Sequence, residues 1–166
     1  QFGILKDNLI SFNDFFQLEY NWTDHRIYKH KFPINDSYTY NYPIGFWAGP
    51  HAEEFSILYS TPFKSWQLNS KLSYFKRGYV TQDILDNQYK DILTERYSNN
   101  AEQRITLSIN SYKYLLNKKI QLKIGADFID WLNSSFNPNN IETLKTDTRK
   151  ISLNLGVLFT TDVLFN

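Results

Sequence analysis

The run Ile120-Gln121-Leu122-Lys123-Ile124-Gly125-Ala126-Asp127-Phe128 decides how this chain folds. Ile120, Leu122, Ile124, Ala126 and Phe128 fall on one parity, and Gln121, Lys123 and Asp127 fall on the other. A period of two sends alternate side chains to opposite faces of a strand, whereas a helix would scatter the same residues around its axis. The pattern therefore predicts a strand with one oily face and one wet face.

Working outward, the same period returns on both sides. Towards the C-terminus, Ile151, Leu153, Leu155, Val157 and Phe159 oppose Ser152, Asn154 and Gly156. Towards the N-terminus, Ile105, Leu107 and Ile109 oppose Thr106, Ser108 and Asn110, and Trp66, Leu68, Leu72 and Tyr74 oppose Gln67, Asn69, Lys71 and Ser73. Phe55, Ile57 and Tyr59 share a face within 54–60, and Phe16, Leu18, Tyr20 and Trp22 oppose Gln17, Glu19, Asn21 and Thr23. About six strands result, forming an antiparallel up-and-down meander of all-β class. Gln1 to Asn8 reads as the tail of an element plus a polar turn. Tyr112, Tyr114 and Trp131 fall on the polar parity, which predicts either a ring on the wet face or a bulge.

The connections alternate in length. Short turns lie at 61–65 and 116–119; long ones occupy 24–54, 77–100 and 133–146. Ile84, Leu85, Gln88, Ile92 and Leu93 recur at helical spacing, so a short helix is expected inside the second. The apolar faces run for about 9–11 residues, the length that a tilted strand needs to cross a bilayer. Long loops at one end, short turns at the other and rings near strand ends (Trp22, Phe63, Trp66, Phe128) are features of outer-membrane barrels. A soluble sandwich also alternates, with its oily faces turned inward. Six strands would leave two raw edges, which lipid does not tolerate, so on the membrane reading further strands lie upstream.

Bulk properties narrow the function. The 166 residues are 42% hydrophobic and 17% aromatic, too rich in rings for a disordered chain. Eighteen basic and 17 acidic residues leave a net charge of +1, so no global field steers the chain to nucleic acid. Absence of Cys excludes disulfides, thiol catalysis and thiolate metal sites. No apolar run is long enough for a membrane helix, which leaves a barrel untested. Met is absent even at position 1 and no signal peptide is visible, so the chain reads as a mature form or a fragment.

Catalytic signatures are missing. His25, His30 and His51 match no metal-ligand spacing, and no cofactor is expected. Glu53 and Glu54 are adjacent, so a strand sends them to opposite faces rather than onto one substrate. Neither a nucleophile elbow nor a glycine-rich phosphate loop occurs. The expectation is a protein that is not an enzyme.

The segment from Asp24 to Glu54 carries the strongest individuality. It contains Phe32-Pro33-Ile34-Asn35, Tyr38-Thr39-Tyr40, Tyr42-Pro43-Ile44-Gly45 and Gly49-Pro50-His51-Ala52-Glu53-Glu54. With Tyr74-Phe75-Lys76-Arg77-Gly78 later in the chain, these runs resemble the Wzi family of capsule-assembly outer-membrane proteins. The resemblance spans roughly residues 15–160, as the C-terminal portion of such a protein; it departs at the end, where Asn166 follows Phe165. It implies a barrel, monomeric once complete, in the bacterial outer membrane of a Gram-negative type cell. Its partners would be outer-membrane lipid and the capsular polysaccharide or exopolysaccharide that it helps to attach or assemble.

Two uses of the loop stand side by side. Its rings can pack a small core of their own. Tyr38, Tyr40, Tyr42 and Trp47, with His51 and Glu53, can also form a glycan platform, since sugar CH faces lie against aromatic planes and polar groups take the hydroxyls. On the wet face, Glu19, Lys71, Lys123 and Asp127 are the expected lumen charges. They would tune selectivity if the protein were instead a porin-like channel for small solutes. A third expectation, from another class, is a soluble all-β carbohydrate-binding module.

Overall fold

The computed structural model describes residues 1–10, 12–24, 38–39, 42–43, 47–49, 51–79, 86, 97, 101–116, 119–136 and 146–159. Nine strands occur among them: β1 (Phe2–Asp7), β2 (Phe15–Thr23), β3 (Tyr38–Thr39), β4 (Tyr42–Pro43), β5 (Ala52–Phe63), β6 (Trp66–Arg77), β7 (Glu102–Leu115), β8 (Ile120–Leu132) and β9 (Thr148–Phe159). Seven of them form one antiparallel sheet in the order β1-β2-β5-β6-β7-β8-β9, and β3 pairs with β4 separately. Every neighbour in the large sheet is also the next strand of that sheet along the chain, which is an up-and-down meander. Among the described residues β1 and β9 are not joined, so the sheet is open.

The large sheet has one strand more than the sequence expectation, β1, and the short pair β3 and β4 adds two more. Phe2–Asp7 pairs along its whole length with β2, from Phe2↔Tyr20 to Asp7↔Phe15. Its apolar residues include Leu5 on the polar parity, which blurred the alternation. The helix expected within 77–100 lies outside the described residues, apart from Asp86, which is helical.

Register fixes the faces. The row Leu18↔Ile57↔Leu72↔Leu107↔Phe128↔Ile151 crosses six strands on one side. The row Glu19↔Ser56↔Ser73↔Thr106↔Ile129↔Lys150 crosses the same strands on the other. Leu68, Leu107, Ile124 and Leu153 all lie on the apolar side, and no second layer gathers them into a dry centre among the described residues. Ile124 is 50% exposed and Leu153 80%. The buried apolar cluster, Ala48, Ala52 and Phe75, sits at the long-loop end instead. Each large apolar side chain gains about 1.5–3 kcal/mol on leaving water, so a face this broad needs an apolar neighbour.

Strands β5, β6 and β9 have 12 residues each, β8 has 13 and β7 has 14. Soluble strands cluster near 5–6 residues, so these are long. Tyr112, Tyr114 and Trp131 stay in unbroken register with β8 or β7, so they are rings on the polar face and mark no bulge.

The turns alternate as the spacing requires. β5 and β6 meet through Lys64 and Ser65 directly after the pair Phe63↔Trp66, with Lys64 at φ 55°. Between β7 and β8, Leu116 adopts φ 50° and its carbonyl accepts from the Lys119 N–H at 3.1 Å. The β1–β2 turn closes around buried Asp14, whose carboxylate accepts from the Leu9 and Ile10 N–H groups at 2.7 and 2.8 Å. Tyr59 of β5 also donates its hydroxyl to Asp14, at 3.0 Å, tying this turn to the next hairpin.

One glycine is fixed by crowding rather than by backbone angle. A Cβ on Gly125 would collide with the Asn110 side-chain oxygen across the ladder and lie 3.2 Å from the Ile109 carbonyl. Gly125→Ala is expected to lower stability by about 1–3 kcal/mol, the usual range for overpacking. Pairing it with Asn110→Ala should recover most of that loss in urea titrations of the folded protein.

Candidate functional site

On the polar face at the long-loop end, aromatic and charged side chains interlock. Phe75 of β6, Arg104 of β7 and Trp131 of β8 stand side by side, because Phe75↔Arg104 and Arg104↔Trp131 are register partners. Trp47 lies over Phe75, with ring centroids 4.8 Å apart. The Arg104 guanidinium is 4.7 Å from the Trp47 ring centroid, 5.4 Å from Phe75 and 5.5 Å from Trp131. Cation–π contacts of this kind favour arginine over lysine, since its flat cation stacks.

Carboxylates hold the rings in place. Trp47 donates its indole N–H to Glu54 at 2.9 Å, and Trp131 donates its own to Glu102 at 2.8 Å. The second Glu102 oxygen pairs with Arg77, at 2.6 Å from Nη2 and 2.9 Å from Nε. Arg77 also reaches the Ala48 carbonyl at 3.3 Å, and so fastens the 47–49 segment to the sheet. Glu102 is 2% exposed; a charge so deep persists only when fully bonded.

A second anchor comes from Thr23. Its hydroxyl donates to the Gly49 carbonyl at 2.6 Å and accepts weakly from the Ala52 N–H at 3.4 Å. Gly49 takes φ 75°, the left-handed region where glycine alone is unstrained, and the chain then turns into β5. Thr23→Val keeps the shape but strands the carbonyl, so a loss of about 1–3 kcal/mol is expected in denaturant titration.

The residues expected from sequence do not all meet. Trp47 is in the cluster. His51 is 4% exposed, with its carbonyl taken by the Gly78 N–H at 3.0 Å and its ring 5.6 Å from Tyr97, so it is packed into the loop base. Glu53 lies on the apolar parity, where Tyr20 donates its hydroxyl to it at 2.8 Å. It is thus turned away from Trp47, as adjacency to Glu54 dictates. Tyr38 and Tyr42 lie in β3 and β4, where only the backbone is described, and Tyr40 lies outside the described residues.

Glu19, Lys71, Lys123 and Asp127 share the polar face. Asp127 accepts from the Asn154 amide, while the Lys123 ammonium stands 5.8 Å from the Tyr112 ring centroid. No group of His, Cys, Asp and Glu suited to a metal ion occurs among the described residues.

Arg104, Glu102, Arg77 and Trp131 were not singled out by sequence as site residues. The signal was there: Glu102 and Arg104 are two apart in a strand, so they share a face, and Trp131 breaks the polar pattern on that same face. Comparison with protein-family models, with curated proteins and with solved structures gives no match to this chain.

Proposed function

We propose that this chain forms part of an outer-membrane β-barrel that holds capsular polysaccharide or exopolysaccharide at the cell surface, without catalysing a reaction. The observation that carries the reading is the exposed apolar face. Nine-residue apolar runs such as Ile120–Phe128 extend about 27–30 Å along the strand, or roughly 20–25 Å of height at the tilt of membrane strands. That matches the lipid-facing band of such barrels. Support also comes from the rings at its margins: Tyr20, Trp22 and Tyr74 at one end, Phe63 and Trp66 at the other. Charged groups follow at the long-loop margin, where Arg149 pairs with Asp130 at 3.2 Å and, further round the sheet, Glu53 is the register partner of Lys76.

The aromatic and charged knot around Trp47 supports the glycan half of the reading, as does the likeness of the 28–54 segment to the Wzi family. The test has two arms. The full-length protein should be monodisperse only in detergent, and cells lacking it should shed polysaccharide into the medium. Monodispersity in plain buffer would sink the barrel. Unchanged polysaccharide retention would sink the surface role, and conductance in planar bilayers would favour a porin-like channel instead.

A further inference from the structure

Resting on that polysaccharide reading, we propose that Arg104 receives the acid group of an anionic glycan, a sugar bearing a carboxylate. Arg104 is the cation of the knot without a carboxylate. Both neighbouring acids are committed, Glu102 to Arg77 and Trp131, and Glu54 to Trp47. The Nε of Arg104 is sealed from water and has no hydrogen-bond partner among the described residues. Three rings hold the guanidinium plane, so its orientation is set before anything binds.

A stacked guanidinium keeps its in-plane N–H groups for an acceptor, and the edge formed by Nη1 and Nη2 matches a carboxylate in two parallel bonds. The flanking indoles offer flat surfaces to the sugar that carries the acid. Lipid phosphate is the wrong occupant, because Arg104 stands on the polar face, opposite to Ile105 and the apolar band. The site therefore selects a uronic-acid type of polymer over a neutral one.

The experiment uses the full-length protein in detergent micelles, titrated calorimetrically with alginate oligosaccharides and with dextran oligosaccharides of equal length. Wild-type protein should bind the uronate at least tenfold more tightly, and raising NaCl from low to half-molar should erode that preference. Arg104→Gln should weaken uronate binding at least tenfold and so collapse the ratio of uronate to dextran affinity; Arg104→Lys should retain part of it. The salt arm needs no variant, so a salt-independent preference overturns the assignment even where Arg104→Gln misfolds. Equal uronate binding by wild type and Arg104→Gln, or a salt-independent preference, overturns the assignment, including the case in which a carboxylate of the chain itself fills the fork. Failure of the underlying reading looks different: cells without the protein keep their polysaccharide, whatever the calorimetry with purified protein gives.

Discussion

On the barrel proposal, replacing Leu155 with Arg is expected to cost about 2–4 kcal/mol of folding free energy in lipid vesicles, the penalty for a cation at the middle of a lipid-facing band. Leu155 lies midway along the apolar run of β9, from Ile151 to Phe159, and is 83% exposed. Two controls give the result its meaning. Phe159→Arg, at the short-turn margin of the same face, should carry only about 0–1 kcal/mol of charge penalty, because a bilayer penalises charge by depth. Ser152→Arg, on the polar face beside Asp127, should be nearly neutral. Urea-dependent folding into vesicles, followed by tryptophan fluorescence, measures all three. A packed protein layer over the apolar face would penalise Leu155→Arg and Phe159→Arg alike, and that pattern would falsify the lipid assignment.

The second large effect is expected at Glu102. Removing its carboxylate with Glu102→Ala takes the acceptor from the Trp131 indole N–H and leaves the Arg77 guanidinium, a quarter exposed, with the Ala48 carbonyl alone. Breaking one side of a fully buried pair costs about 3–5 kcal/mol, and water at the Arg77 end brings the expected loss to about 2–4 kcal/mol. Exchange of both charged partners for apolar residues of similar size, Arg77→Met with Glu102→Leu, should restore much of the stability, since the pair's own desolvation is then avoided. Denaturant midpoints compare the single and double variants. If Glu102→Ala loses less than about 1 kcal/mol, the knot is not the rigid base on which Trp47 and Arg104 depend.

The fold was legible wherever one face of a strand was uniformly apolar. The runs at 120–128 and 151–159 announce themselves because nothing on their oily parity interrupts them. β1 was missed because Leu5 and Gly3 fall on the polar parity, so only pairing with β2 reveals it as a strand. The site was less legible for a related reason. Arg104, Glu102 and Trp131 come from β7 and β8, while Trp47 comes from a connection far earlier in the chain. Their meeting depends on register, and a one-residue slip would turn them to the other face. The aromatic segment at 28–54 attracted notice through its composition, yet composition could not separate Glu53 from Glu54. Strand parity sends the first to Tyr20 and the second to Trp47.

Because every strand of the large sheet pairs with its neighbours along the chain, the contacts are local and the sheet can grow hairpin by hairpin. Among the described residues, the seven-stranded sheet presents two rows of vacant peptide groups, at β1 and β9. Produced alone in water, the 166-residue chain should therefore find its own copies at those rims and build ribbons, with the oily sides stacking them into insoluble bundles. Covering those two rims is then what a cell, or an experimenter, must do to keep it in solution.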